Sequence, residues 1–295
     1  MTLPASINED LRWWNTVNLH KGNPIKNAVY ELEIYSDASL TGWGAVCNGE
    51  KAHGHWTTLE RELHINQLEL IAAFFGLRAF AKDCKNCQIL LHIDNTTAIS
   101  YINRMGRVQF IHLNRVAREI WQWCERRNIW IHATYIASKD NVADIESRRL
   151  QDNTEFTLIK KAFSLVCNSF GYPEIDLFAN RGNAKCKKYV SWHRDPDSIA
   201  IDAFTILWNK HFFYAFPPLS MIMKALQKIR AEKATGIMIV PEWPAQPWHP
   251  LFNKMLISKP VHLKAKQNLI FSSQYATFWE RVTLVVGVLS GEHWN

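Results

Sequence analysis

No stretch of this chain reaches the roughly 18 uninterrupted apolar residues that a membrane helix needs, and the opening MTLPASINED lacks the basic-then-apolar order of a secretory leader. A membrane partner and export are therefore not expected. Cysteine is sparse and scattered: Cys47, Cys84, Cys87, Cys124, Cys167 and Cys186 form no disulfide-like framework, which suits a reducing compartment. An intracellular setting, cytoplasmic or nuclear, follows. Cys84 and Cys87 have zinc-like spacing, but a structural site needs four ligands and no second pair stands at a matching distance. They read as two reduced thiols in a loop. There is no internal repeat and no low-complexity tract. Charged residues make up only 21% against 47% hydrophobic, which excludes wholesale disorder and leaves ample material for a core.

What is present begins with charge. The chain of 295 residues carries a formal +7. Residues 1–150 hold 17 Lys and Arg against 16 Asp and Glu, whereas residues 151–295 hold 17 against 11. A basic excess of this kind suits a polyanion such as nucleic acid, and equally a plain solvated surface.

Residues 1–27 read as a lead-in, with Trp13 and Trp14 as aromatic anchors and a turn at Gly22-Asn23-Pro24. Residues 28–150 follow as a first domain. Strand-like segments at Leu32–Ser36, Trp43–Cys47 and Lys51–Trp56 are separated by Leu40-Thr41-Gly42 and by Asn48-Gly49, a strong hairpin signal. They predict an antiparallel meander. Apolar residues at Leu68, Ile71, Ala72, Phe75, Leu77 and Ala79 predict a helix over Asn66–Lys82. A strand at Gln88–Ile93, helices near Thr96–Asn103 and Leu113–Arg127, a strand at Ile129–Tyr135 and a short helix over Asp140–Arg148 complete an α/β pattern with a mixed sheet. The polar QDNT around Leu150–Thr154 marks a boundary. In residues 151–295 a helix is expected over Phe156–Asn168, strands at Ile175–Phe178 and Phe212–Phe216, a helix at Met221–Ala231 and a strand at Gly236–Val240. The last three form a βαβ unit, and the whole reads as a second, smaller α/β domain.

Four carboxylates stand where such a first domain could gather them. Asp37 and Asp94 end strands, Glu69 lies near the start of the first helix, and Asp144 lies on the last short one. Taken singly, each is the kind of carboxylate that caps or solvates an element end. Taken as a cluster, they repel one another unless cations neutralise them, and hard oxygen ligands select Mg²⁺ or Mn²⁺ over zinc. Two such ions suit activation of water at a phosphodiester. Gly42 and Gly44 are expected to admit the returning strand and a ligand backbone close to Asp37.

The pieces YSDASLTGWGAV, INQLELIAAFFGLRAF, HIDNTTAISYI and YIASKDNVADIESR, spanning Ile34 to Arg149, resemble the RNase H domain of retroelement reverse transcriptases. The last resembles a retrotransposon pattern most specifically. The resemblance implies an RNase H-like mixed five-stranded sheet with flanking helices. It implies hydrolysis of the RNA strand of an RNA–DNA hybrid, with Asp37, Glu69, Asp94 and Asp144 as a catalytic tetrad holding two Mg²⁺ ions, Mn²⁺ substituting. Asn66 and Gln67 match the polar residues that touch the hybrid's minor groove. Arg104, Arg107, Arg115, Arg118, Arg126 and Arg127 either face the hybrid's phosphates or form a solvated helix face. Many members carry a histidine on the loop before the last aspartate; Tyr135 stands at that position here, and His132 reads as a core residue. Slower turnover is the implied consequence. No Tyr-x-Asp-Asp polymerase signature occurs, and the lead-in resembles the connection that follows a polymerase, so the implied partners include other polyprotein domains, polymerase and recombinase.

EIDLFANR and the run from Phe212 to His249 resemble the region that follows RNase H in tyrosine-recombinase-class, DIRS-like retroelements, itself similar to phage-type adenine-N6 DNA methyltransferases with a Rossmann-like fold. Phe216-Pro217-Pro218-Leu219 keeps that family's prolines but has neither its polar nor its aromatic member, and no glycine-rich loop follows Ile175-Asp176-Leu177. An inactive domain retained for nucleic-acid binding is expected, with no affinity for S-adenosylmethionine. Asp176 is either a relic ligand or structural. Trp192, Trp208, Trp243 and Trp248 either stack on bases or fill the core. Against ribonuclease H stand two alternatives, a non-catalytic nucleic-acid-binding module and a DNA adenine methyltransferase.

Overall fold

Asn48 and Gly49 both adopt positive φ, 50° and 79°, as a tight hairpin turn requires, and this turn organises the N-terminal meander. The computed structural model describes residues 29–106, 108–149, 156–265, 269–272 and 276–293, with Leu11 and Asn15. The anchors Trp13 and Trp14, the Gly22-Asn23-Pro24 turn, Arg107 and the polar stretch 151–154 lie outside the described residues. Glu31–Asn295 forms one compact unit.

In chain order the first sheet region comprises β1 (Leu32–Ala38), β2 (Gly42–Cys47), β3 (Glu50–His55), α1 (Ile65–Phe80), β4 (Gln88–Ile93), α2 (Thr96–Asn103), α3 (Ile111–Glu125), β5 (Trp130–Tyr135) and α4 (Asp144–Ser147). The sheet order is β3-β2-β1-β4-β5, with β2 antiparallel to β1 and β3, and with β4 and β5 parallel to β1. This is the expected mixed five-stranded sheet. Its core gathers Ile34, Trp43, Leu68, Leu91, Ile120 and Ile131 among others, and α3 buries Leu113, Val116, Ala117, Ile120 and Cys124 along one stripe. The helix expected over Asp140–Arg148 divides into a single turn at Ser138–Asp140 and α4.

The second region comprises β6 (Phe156–Leu158), α5 (Lys160–Phe170), β7 (Ile175–Asp176), β8 (Lys188–Ser191), β9 (Ala200–Ile201), β10 (Phe213–Ala215), α6 (Ile222–Ala231), β11 (Thr235–Pro241), α7 (His249–Met255), β12 (Val261–Leu263), β13 (Ile270–Ser272), α8 (Ala276–Trp279) and β14 (Leu284–Ser290). Seven of these strands form one sheet in the order β12-β14-β11-β10-β7-β8-β9. Strands β7 to β11 are mutually parallel, and β14 is antiparallel to its neighbours β11 and β12. Counted along the chain, the parallel part runs 3-2-1-4-5, the doubly wound order.

This sheet has seven strands against five in the first. One expectation needs correction. The helix expected from Phe156 begins at Lys160, because Phe156–Leu158 pairs antiparallel with β13 instead. Trp208 and Trp248 are buried in the core, whereas Trp192 is 56% exposed.

The two sheets are tied together. Arg181 pairs with Glu60 and stacks over the Phe75 ring at 4.4 Å, Arg78 pairs with Asp197, Arg194 pairs with Glu50, and the Lys82 ammonium donates to the Ser198 carbonyl.

Gly44 shows why α4 can lie directly on the sheet. A Cβ there would stand 2.4 Å from the Ser147 backbone nitrogen and 2.6 Å from the Ala143 carbonyl oxygen. At Gly42 it would stand 2.5 Å from the Gly54 carbonyl oxygen and 3.1 Å from that of Ser147. The close approach expected of a ligand is made in part by the backbone of α4. Gly44→Ala is therefore expected to destabilise the protein by about 2–3 kcal/mol, read as a lower urea midpoint, since backbone cannot yield as a side-chain tip can. An unchanged midpoint would show that α4 does not rest on β2 in solution.

Candidate active site

Adjacent parallel strands bring their carboxyl ends to the same edge of a sheet, and β1 and β4 do so here. Asp37 lies next to the end of β1 and is 3% exposed; Asp94 follows β4 and is half-buried. Glu69, on the buried face of α1, is 4% exposed. One carboxylate oxygen from each of these three lies within 4.8 Å of the others.

Burial pushes the Asp37 carboxyl above its ordinary range against the opposing Ser147 side chain, and the charges of Asp94 and Asp144 push it further. Glu69 is pushed up to about 9 by burial and then by the charges of Asp37 and Asp94. Oδ2 of Asp37 and Oε2 of Glu69 are buried without a hydrogen-bond partner. Buried polar atoms are normally satisfied, and two orphaned carboxylate oxygens facing a third carboxylate fit a divalent cation. The donor set is all oxygen, as Mg²⁺ or Mn²⁺ requires.

Asp144 is within electrostatic reach of Asp37 but outside this group of three. Its Oδ1 accepts from Arg148 at 2.7 Å from Nη2 and 3.0 Å from Nε. The structure thus brings together three of the four expected ligands and holds the fourth at the rim by an i,i+4 ion pair.

Several supporting residues were not singled out from the sequence, although they lie inside the quoted motifs. Asn141 is buried, donates from Nδ2 to the Ser36 carbonyl at 3.1 Å, and accepts from the Ala143 amide at 3.2 Å. It fastens the loop before α4 to the strand that carries Asp37. The Ser39 hydroxyl donates to the Ser147 carbonyl at 2.6 Å, and the Ser138 hydroxyl donates to Oδ2 of Asp94 at 2.6 Å. Glu146, 3% exposed, pairs with Lys51 at 2.7 Å and Arg149 at 3.3 Å; it anchors α4 from the opposite side.

Asn66 and Gln67 occupy the first turn of α1 and are both half-buried. The Asn95 amide donates to Oδ1 of Asn66 at 2.9 Å while its own oxygen caps α2. Tyr135 is 59% exposed at the end of β5. His132 is exposed on the same strand, which corrects its reading as a core residue: alternation along β5 turns it outward between buried Ile131 and Ala133. Arg104, Arg115 and Arg126 are exposed, Arg118 is half-buried, and Arg127 packs over the Trp123 ring at 4.2 Å. All six cysteines are free, and burial pushes the Cys87 thiol up to about 11.

The raised Glu69 pKa has a thermodynamic consequence with a definite sign. The folded state holds this proton more tightly than the unfolded state, so stability from this group is present below about 4.5 and is lost as pH rises toward about 9. At pH 7 the loss is about 3 kcal/mol. In EDTA, Glu69→Gln is expected to melt above the parent, by a margin that widens between pH 5 and pH 9. Mg²⁺ is expected to raise the parent's melting temperature and narrow that margin. A variant that melts below the parent at every pH would show that the carboxylate is not strained.

No protein-family model matches the chain, and no curated protein matches its sequence. Among solved structures, it is similar to the N-terminal RNase H domain of a Mycobacterium tuberculosis protein, at 14% identity and a TM-score of 0.33 over 39% of this chain and 88% of that one. It is similar to RNase H1 from the halophilic archaeon Halobacterium salinarum, at 19% identity and a TM-score of 0.32 over 39% of this chain and 92% of that one. It is similar to the prototype foamy virus protease–reverse transcriptase, at 11% identity and a TM-score of 0.26 over 53% of this chain and 22% of that one. At these scores none of the three assigns a role to any residue here.

Proposed function

We propose that the chain is a metal-dependent ribonuclease H acting on the RNA strand of RNA–DNA hybrids, as part of a retroelement polyprotein or derived from one. The observation that carries this reading is the pair of orphaned, buried oxygens on Asp37 and Glu69 beside Asp94. A protein that merely bound nucleic acid would gain nothing from burying like charges against an incoming polyanion.

Asp37, Glu69 and Asp94 would hold the ions, with Asp144 joining from the rim as Arg148 releases it. Bound Mg²⁺ supplies activation of water and stabilisation of the leaving oxygen at a phosphodiester. The protein's own part is positional. Asn141, Ser39 and Gly44 seat α4 against β1 and β2, and Ser138 orients Asp94, so that the carboxylates are preorganised before substrate arrives. Asn66, steadied by Asn95, and Gln67 are suited to donating to sugar and base-edge acceptors in the wide minor groove of a hybrid. The free cysteines suit a reducing, intracellular compartment. Among the described residues no helix is long and apolar enough to cross a membrane. In the second region Asp176 is buried and accepts from the Lys185 amide at 3.0 Å and the Phe178 amide at 3.3 Å, which favours its structural reading.

With Mg²⁺, the protein is expected to cut the RNA of a labelled hybrid and to leave single-stranded RNA and duplex DNA largely intact, while EDTA stops cleavage. Asp37→Asn and Asp94→Asn are each expected to lower the rate by at least about a hundredfold at nearly unchanged hybrid affinity. Equal cutting of duplex DNA, or near-full activity in either variant, would overturn the assignment.

A further inference from the structure

The doubly wound sheet contains a second cavity that the carboxylate site does not use. Its strand order reverses between β7 and β10, and at such a switch point the following loops diverge and open a crevice beyond the strand ends. A cavity of about 280 Å³ lies there, walled in part by Phe156, Phe178, Phe216, Met221 and, at 56% exposure, Trp192. It continues into a cleft of about 550 Å³ that reaches β3 of the first sheet; the two share Phe156, Asn180, Asn183, Ser191 and His193.

The two parts differ in chemistry. Arg61, Lys160, Arg181 and Lys185 line the larger cleft with three histidines, against Asp195 as its one carboxylate. Arg181 is engaged by Glu60 and Asp197, and Asp195 accepts from the Arg181 and Asp197 amides at 2.8 and 3.0 Å. Arg61 and Lys160 are exposed and stand in no ion pair among the described residues, whereas Lys185 is half-buried within electrostatic reach of the buried Asp176. Together they present positive charge to an anion that enters the cleft from outside. At the boundary, Asn180 and Asn183 spend their side-chain oxygens on the loop's own amides, which leaves their N–H groups as donors without a partner among the described residues.

We propose that this two-part cleft binds a nucleoside phosphate, with the base in the aromatic part and the phosphate among Arg61, Lys160 and Lys185. A flat ring needs aromatic faces and a few edge donors, and a phosphate needs cations; the two adjoining parts of the cleft supply these in turn. A free mononucleotide and a nucleotide of a single strand share this chemistry. The inference does not rest on the ribonuclease reading.

Calorimetric titration of the full chain in EDTA tests it, with AMP, adenosine, inorganic phosphate, S-adenosylmethionine and a short single-stranded oligodeoxynucleotide as probes. Saturable AMP binding is expected, at least about tenfold tighter than that of adenosine or phosphate alone. Trp192→Ala and the Lys160→Gln/Lys185→Gln pair are each expected to weaken it by about tenfold or more, while Lys210→Gln, exposed and outside both parts of the cleft, changes nothing. An oligonucleotide that binds more tightly than AMP with the same variant sensitivities identifies the occupant as a nucleotide of a single strand; equal or weaker binding identifies a free mononucleotide. The proposal is overturned if neither AMP nor the oligonucleotide binds saturably, if the variants leave binding unchanged, or if S-adenosylmethionine alone binds.

Discussion

Mutual repulsion among Asp37, Glu69 and Asp94 is the constraint around which the first sheet is arranged. Three carboxylates whose oxygens lie within 4.8 Å, two of them on buried residues, cannot all be ionised without a counter-charge. Without a cation, burial and the charges of Asp37 and Asp94 favour a proton on Glu69. Every neighbouring feature resists relaxation of the cluster. Asn141 holds the α4 loop to β1, the Ser39 and Ser138 hydroxyls fix the adjoining turns, and the missing Cβ of Gly44 lets α4 sit where its dipoles and charges reach Asp37.

Charge is used differently in the second region. Its basic excess, visible as 17 Lys and Arg against 11 Asp and Glu, is partly consumed within the protein: Arg181 and Arg194 pair with Glu60 and Glu50 of the first region. Such pairs, reinforced by the Arg181–Phe75 stack, join the sheets, and Arg181 itself lines the cleft between them. The surplus left for a polyanion is therefore smaller than composition suggests.

Much of the fold was legible because its elements are local. The Asn48-Gly49 turn, the apolar period of α1 and the boundaries of α2 depend on residues within a few positions of one another, and they appear as expected. The strands of the second sheet were largely illegible. β8, β9, β12 and β13 span two to four residues, too short for any period to register. β14, LVVGVLS, is buried along its whole length between β11 and β12 and so shows no alternation to read. Phe156–Leu158 reads as the start of a helix because nothing near it in the chain reveals that β13, more than a hundred residues away, pairs with it.

The sequence by itself determined which side chains are available: the carboxylates Asp37, Glu69, Asp94 and Asp144, two glycines behind the first, two prolines after β10, and no histidine between Tyr135 and Asp144. Those are covalent facts, and the all-oxygen character of the carboxylate cluster follows from them. Tertiary structure alone decided which of these residues meet. It gathered Asp37, Glu69 and Asp94 but held Asp144 against Arg148, and it gave Gly44 to the backbone of α4. It set a cationic cleft beside an aromatic one. Each of these outcomes depends on distances between elements far apart in the chain, which strand order and packing set and local sequence does not encode.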